Sequence, residues 1–271
     1  MSDFVYSSVR KRPGELSAAM RAIYETDPPV SREFHGEWGS LAVSRNMYPN
    51  FQVMEDESSV FCILGGPVIL FDDNAFLGGD DPVRGTALIR ERFRTGGLRF
   101  EEDLSGPFVI VCLDKASSTL TVVTDIMMFM PVYRYDAGGA VMLASHVDAL
   151  AVASGQTNAL DEASLVDFVL HDVVTYPYTA YASIRQCAPA TVLRFEVRGG
   201  AVVRSDAREY WLPEEVTPFG GLDEAAVALR DCVSDYVRRV TSGLDHVAQF
   251  LSGGEDSRAI AGLLPARLRR D

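Results

Sequence analysis

Lysine is nearly missing from this chain. Of 271 residues only Lys11 and Lys115 are lysines, and the other 23 cations are arginines. A GC-rich coding bias gives such a ratio, and it also leaves few ammonium groups to neutralise a transferring phosphate. Cysteine is scarce too. Cys62, Cys112, Cys187 and Cys232 never stand at C-x-x-C spacing, and each lies in an apolar or helical context. This excludes a zinc or disulfide framework and points to reduced, buried thiols in a cytoplasmic protein. The N-terminus lacks the charged-then-apolar pattern of a signal peptide. No apolar run reaches the roughly 18 residues of a membrane helix. A basic stripe is absent: Arg10-Lys11-Arg12 and Arg267 to Arg270 are short and terminal, and the net charge is −13, which argues against nucleic acid as a partner. His35, His146, His171 and His246 are scattered, without metal-ligand spacing, and read as structural histidines. Asp72-Asp73 and Asp80-Asp81 read as solvated turns, and Met127, Met128 and Met130 as core filler.

What is present is a globular composition. The chain is 47% hydrophobic, enough for a sizeable core, and its length fits one large or two modest domains. Residues 14–25, 82–95 and 161–170 carry helix-spaced apolar positions. Between them lie short β-type runs at Ser40 to Val43, Val60 to Leu64, Pro67 to Phe71, Pro107 to Leu113, Thr119 to Thr124, Pro131 to Tyr135, Val141 to Ala144, Thr191 to Val197 and Ala201 to Arg204. Asp136-Ala137-Gly138-Gly139 and Arg198-Gly199-Gly200 are hairpin signals. Many antiparallel strands with few helices predict a sheet sandwich covered by helices. The texture changes at a linker over residues 213–221. Residues 222–240 then read as an amphipathic helix, acidic at its start and basic at its end. His246 to Leu251 reads as a strand and Arg258 to Leu264 as a helix.

Between those last two elements stands Ser252-Gly253-Gly254-Glu255-Asp256-Ser257. Glycines permit backbone conformations that other residues avoid, so successive N–H groups can form a nest for anionic oxygens. A following helix N-terminus adds its positive dipole end. Ser252 and Ser257 supply hydroxyl donors, and Asp256 makes sense as a ligand for Mg²⁺ bridging phosphate oxygens. The plainer alternative is a Gly-rich turn whose serine caps a helix. No Gly-Lys-Ser/Thr follows, which excludes a Walker A loop in this segment.

Phe250-Leu251-Ser252-Gly253-Gly254-Glu255-Asp256-Ser257 resembles the pyrophosphate loop of the asparagine synthetase family, which includes β-lactam synthetases and lasso-peptide cyclases. Upstream, Asp103 to Phe108 resembles the family's L-x-G-x-F segment, and Thr124-Asp125 through Tyr133 its R-D-x-x-G-x-x-P-L-Y segment. Leu143 to Leu150 resembles F-A-S-E-x-K-A-L, Cys187 to Ala190 resembles L-P-P-G, and Glu209-Tyr210-Trp211 the mark before the linker. The resemblance implies a glutaminase-type αββα sandwich of the N-terminal-nucleophile class over residues 1–212. The start of an α/β PP-loop ATP-pyrophosphatase domain would follow over residues 222–271. It also implies ATP and Mg²⁺ as cofactors. Ser252, Gly253, Gly254, Asp256 and Ser257 would contact pyrophosphate or Mg²⁺, and Leu251 would lie against the nucleotide. The implied reaction is adenylation of a carboxylate, then attack by ammonia or an amine.

The chain departs from the family where glutamine would be cleaved. Residue 2 is serine instead of the nucleophilic cysteine, the N-G-E strand end is Leu64-Gly65-Gly66, Arg45 is the only counterpart of the glutamine-clamp arginine, and Met128 replaces a loop glycine. The expectation is a glutaminase fold without glutaminase activity, in which the attacking amine belongs to the substrate. Only 14 residues follow Ser257, so the expected ligase activity belongs to a longer or two-chain protein, with a partner chain or homodimer possible. Two further readings stand beside it. One is a non-enzymatic scaffold, favoured if residues 222–240 and 246–264 expose an apolar face. The other is an amidase using Ser2 as nucleophile with its own amine as base.

Overall fold

The computed structural model of the chain describes residues 3–72, 74–214 and 219–268. Its strands are β1 (Phe4–Ser7), β2 (Ser31–Gly36), β3 (Gly39–Ser44), β4 (Met54–Glu55), β5 (Ser59–Gly65), β6 (Val68–Ile69), β7 (Leu104–Ser105), β8 (Phe108–Asp114), β9 (Thr119–Thr124), β10 (Tyr133–Ala137), β11 (Ala140–Ala144), β12 (Ile184–Gln186), β13 (Thr191–Arg198) and β14 (Ala201–Glu209). The α-helices are α1 (Glu15–Arg21), α2 (Arg84–Arg94), α3 (Phe100–Asp103), α4 (Val147–Ser154), α5 (Glu162–His171), α6 (Leu222–Val240) and α7 (Glu255–Leu263).

Two six-stranded antiparallel sheets form the body. The first runs β12-β10-β11-β1-β3-β2 and the second β14-β13-β9-β8-β5-β4. Side chains alternate across a strand, so a strand buried on both faces feeds two different cores. In β1, Phe4 and Tyr6 enter the core between the sheets, whereas Val5 faces the layer of α1 and α4 with Leu16, Met20 and Leu150. In β5, Val60, Cys62 and Leu64 join the central core, while Phe61 and Ile63 meet Ile89 of α2 and Phe100 of α3. β8 divides the same way, with Val109, Val111 and Leu113 inward and Phe108 and Ile110 outward. This double burial is why Pro107 to Leu113 reads as continuously apolar, and it produces the expected αββα sandwich.

Several expectations need correction. His246 to Leu251 forms no strand. A strand is held by ladder bonds to a neighbour, and the described residues offer none here. β1, one of the two central strands of the first sheet, escaped the hydrophobic pattern because its apolar run is only Phe4-Val5-Tyr6, between Asp3 and Ser7-Ser8. The methionine loop is only half core filler: Met128 and Met130 pack on the central core, but Met127 is 67% exposed. Cys232 is exposed on α6, while Cys62 and Cys187 are buried as expected. Among the described residues no helix is long and apolar enough to cross a membrane.

α6 touches the sandwich only near its C-terminal end. There Val237 is buried and Arg239 donates to the Leu70 carbonyl at 2.7 Å. Its first turns stand clear, with Leu222 84% exposed, and α7 buries no residue at all.

Candidate functional site

The first candidate region lies where β1, β3 and β5 end side by side. Ser2 falls outside the described residues. Its neighbour Asp3 is buried: the Asp3 amide donates to Ser44 Oγ at 2.7 Å, and its carboxylate accepts from Ser145 Oγ at 3.1 Å and from the Tyr24 hydroxyl. Burial, reinforced by the Asp3 carboxylate, pushes the Tyr24 phenol well above its ordinary pKa, so it stays a neutral donor.

The end of β5 is closed. Leu64 is fully buried in the central core and offers no polar group. Gly65 has φ +81°, and a Cβ there would lie 2.3 Å from the Pro107 carbonyl oxygen. The Tyr48 ring lies so close over Gly66 that a Cβ there would be 2.5 Å from it. Asn46 supplies the only side-chain amide tied to this strand end among the described residues. It donates to the carbonyls of Ile63 (2.7 Å) and Gly65 (2.9 Å), and its oxygen accepts from the Tyr48 amide at 2.9 Å. Both amide hydrogens are therefore engaged, and neither is aimed at a developing oxyanion. Arg45 is exposed and lines a surface hollow with Pro28, Pro29, Val30 and the neighbouring Asn46. Asn46 and Tyr48 were not singled out from the sequence.

Nearby, the buried Asp125 carboxylate accepts from the amides of Met127, Phe129 and Met130 at 3.0, 3.0 and 3.1 Å, and from Phe108 at 3.3 Å. This cage shapes the loop so that Met128 sits at φ +53°. Ala190, at the glycine position of the L-P-P-G resemblance, has φ +47°. Both positions keep a backbone that favours glycine although neither residue is one.

The second candidate region is the loop ahead of α7. Ser252 Oγ and Ser257 Oγ lie 3.1 Å apart, the Ser252 amide donates to Ser257 Oγ, and the Gly254 amide donates to Ser252 Oγ. Gly254 precedes the helix without a side-chain cap. Neither Gly253 nor Gly254 has a positive φ, so conformational freedom is not their use here. A Cβ on Gly253 would meet nothing within 4 Å, which leaves open space beside the backbone amides. Leu251 is 63% exposed and Asp256 is exposed, its carboxylate within the first turn of the helix. Leu251, Ser252, Gly253, Gly254, Asp256 and Ser257 therefore lie together in one loop and the first turn of α7, and the set fits a phosphate chain: paired hydroxyls, an uncapped helix start and room for anionic oxygens.

Residues 85–211 match the family model of the glutamine amidotransferase domain. The amidotransferase-type assignment thus covers the chain from α2 to Trp211 and includes the Asp125 cage, but not β1, β5 or the loop ahead of α7. The match does not single out an asparagine synthetase. No curated protein matches the chain. Among solved structures, it is similar to glutamine phosphoribosylpyrophosphate (PRPP) amidotransferase from B. subtilis complexed with ADP and GMP, at TM-score 0.43 and 8% identity, over 79% of this chain and 50% of that one. It is also similar to the allosteric regulatory enzyme of purine biosynthesis, at TM-score 0.45 and 9% identity, over 97% of this chain and 63% of that one. The chain spans less than two thirds of either structure.

Proposed function

We propose that this chain is the N-terminal portion of an asparagine-synthetase-like, ATP-dependent amide-forming ligase whose amidotransferase-type domain does not hydrolyse glutamine. The observation that carries the reading is the Ser-Gly-Gly-Glu-Asp-Ser loop. Its two hydroxyls lie 3.1 Å apart ahead of the uncapped α7, in a chain that also matches a glutamine amidotransferase domain. In the proposed reaction a substrate carboxylate oxygen attacks the α-phosphorus of ATP and pyrophosphate leaves. Ammonia or an amine then attacks the acyl carbon, giving an amide and AMP. Ser252, Ser257 and the amides at Gly253 and Gly254, the latter released from Ser252 Oγ, would bind the pyrophosphate oxygens. Asp256 would hold Mg²⁺, which offsets phosphate charge; Mg²⁺ is commonly held by one or two carboxylates together with substrate phosphates.

Calorimetric titration of the chain with Mg²⁺ and pyrophosphate tests this directly. Binding is expected in the wild type and is lost in the Ser252→Ala/Ser257→Ala double variant. Equal binding by the double variant, or none by the wild type, overturns the loop assignment.

A second reading has its own support. The α6–α7 segment exposes Leu222, Leu229, Phe250 and Ile260, and Phe250 is 99% exposed. An uncovered apolar set of this kind suits a scaffold that receives another protein surface. Sedimentation analysis separates the two readings: a monomer that binds Mg²⁺-pyrophosphate favours the ligase, and a self-associating chain that binds none favours the scaffold.

A further inference from the structure

Sheet 2 is only half covered on its outer side. α2 and α3 lie over β5 and β8, and beside them opens a cavity of about 550 Å³ that extends across β9, β13 and β14. That is the size of an ordinary small-molecule site. Its charge is unlike the rest of the molecule. Arg90 and Arg94 of α2, Arg194 of β13 and Arg208 of β14 all line it, against a single lining carboxylate, Asp114. The whole chain, by contrast, carries a net charge of −13.

Of these four arginines only Arg90 is ion-paired among the described residues, to Asp56. Among the described residues, Arg94, Arg194 and Arg208 make no ion pair, although Arg92, Arg99, Arg134 and Arg204 each do. Arg90 is 9% exposed and is fixed from behind, donating to Ser59 Oγ at 2.8 Å and to the Asp56 carboxylate; its Nε is buried without a hydrogen-bond partner. The floor is apolar, where Phe61 and Phe93 meet edge to face with centroids 5.5 Å apart.

We infer that this cavity binds a small organic phosphate, its phosphate group held by Arg94, Arg194 and Arg208 and its organic part on the apolar floor. Guanidinium forks match phosphate oxygens bidentately. A group with two negative charges suits three unpaired arginines better than a carboxylate with one. The floor then distinguishes an organic phosphate from the inorganic ion, because only the former has apolar surface to bury. The site is separate from the loop ahead of α7 and does not depend on the ligase reading.

The test is titration of the chain with phenyl phosphate and, separately, with inorganic phosphate. Phenyl phosphate is expected to bind at least tenfold more tightly, and its binding to weaken with added salt. The Arg194→Gln/Arg208→Gln variant changes two exposed side chains and should keep its melting temperature. It is expected to lose at least tenfold in phenyl phosphate affinity, whereas the Ser252→Ala/Ser257→Ala variant is expected to bind it like wild type. The proposal is overturned if the arginine variant binds as tightly as wild type, if inorganic phosphate binds equally well, or if neither ligand binds at millimolar concentration.

Discussion

Asn46 and Gly65 are joined by a hydrogen bond of 2.9 Å from the Asn46 side-chain amide to the Gly65 carbonyl, and its other amide hydrogen goes to Ile63. The side-chain amide of Asn46 is thus built into the strand end as a clamp, and Leu64, which stands where the family's strand end has asparagine, offers no donor in its place. Losing a single oxyanion donor typically costs about 10²–10³ in rate. The protein is therefore expected to release no ammonia from glutamine above the buffer blank. Asn46→Ala should lower stability by about 2 kcal/mol, since two carbonyls lose a donor. Ammonia release that disappears in Ser2→Ala would contradict this and revive the N-terminal nucleophile.

Two substitutions that exchange glycine and alanine should move stability in opposite directions. Ala190 sits at φ +47°, where a side chain costs roughly 1–2 kcal/mol. Ala190→Gly removes that cost and adds about 0.5–1 kcal/mol of backbone entropy, for a net gain of about 0.5 kcal/mol in denaturant midpoint measurements. Gly65→Ala brings a Cβ to within 2.3 Å of a carbonyl oxygen at φ +81° and should destabilise by about 3 kcal/mol or more. A stabilising Gly65→Ala, or a clearly destabilising Ala190→Gly, would show that the two turns are drawn wrongly.

The thiols should divide one against three. Burial pushes the Cys112 and Cys187 thiols up to about 12 and Cys62 higher still, whereas Cys232 is exposed on α6. The thiolate is the reactive form. At pH 8 the native protein is expected to give one fast equivalent with a disulfide reagent and four after denaturation. Two or more fast equivalents would mean that the sandwich opens.

Much of the sandwich was legible because it rests on local patterns. The hairpin joining β13 and β14 was marked by Gly199 and Gly200, and both do adopt positive φ. Helix α6 was readable from an apolar stripe whose partner need not be known. The same independence from partners misled at His246 to Leu251, where apolar residues suggested a strand that nothing in the described residues can pair. The closed strand end could not be read, because Tyr48 and Gly66 meet without sharing any periodicity. The arginine-lined cavity was equally hidden: positions 90, 94, 194 and 208 come together only once β13 is laid beside β9 and α2 crosses β5.

β14 is the edge strand of the second sheet, nine residues long, and its Val202 amide donates to the Gly139 carbonyl at 2.8 Å. An unpaired edge of that length is a template on which another extended chain can polymerise. Here Arg204, Asp206, Arg208 and Glu209 set charges of both signs along it. A strand approaching from solvent would have to strip water from each of them. The arginine proposed to hold a phosphate thus also stands guard against fibril growth, and replacing such residues to tune one property should be followed by turbidity as well as by affinity.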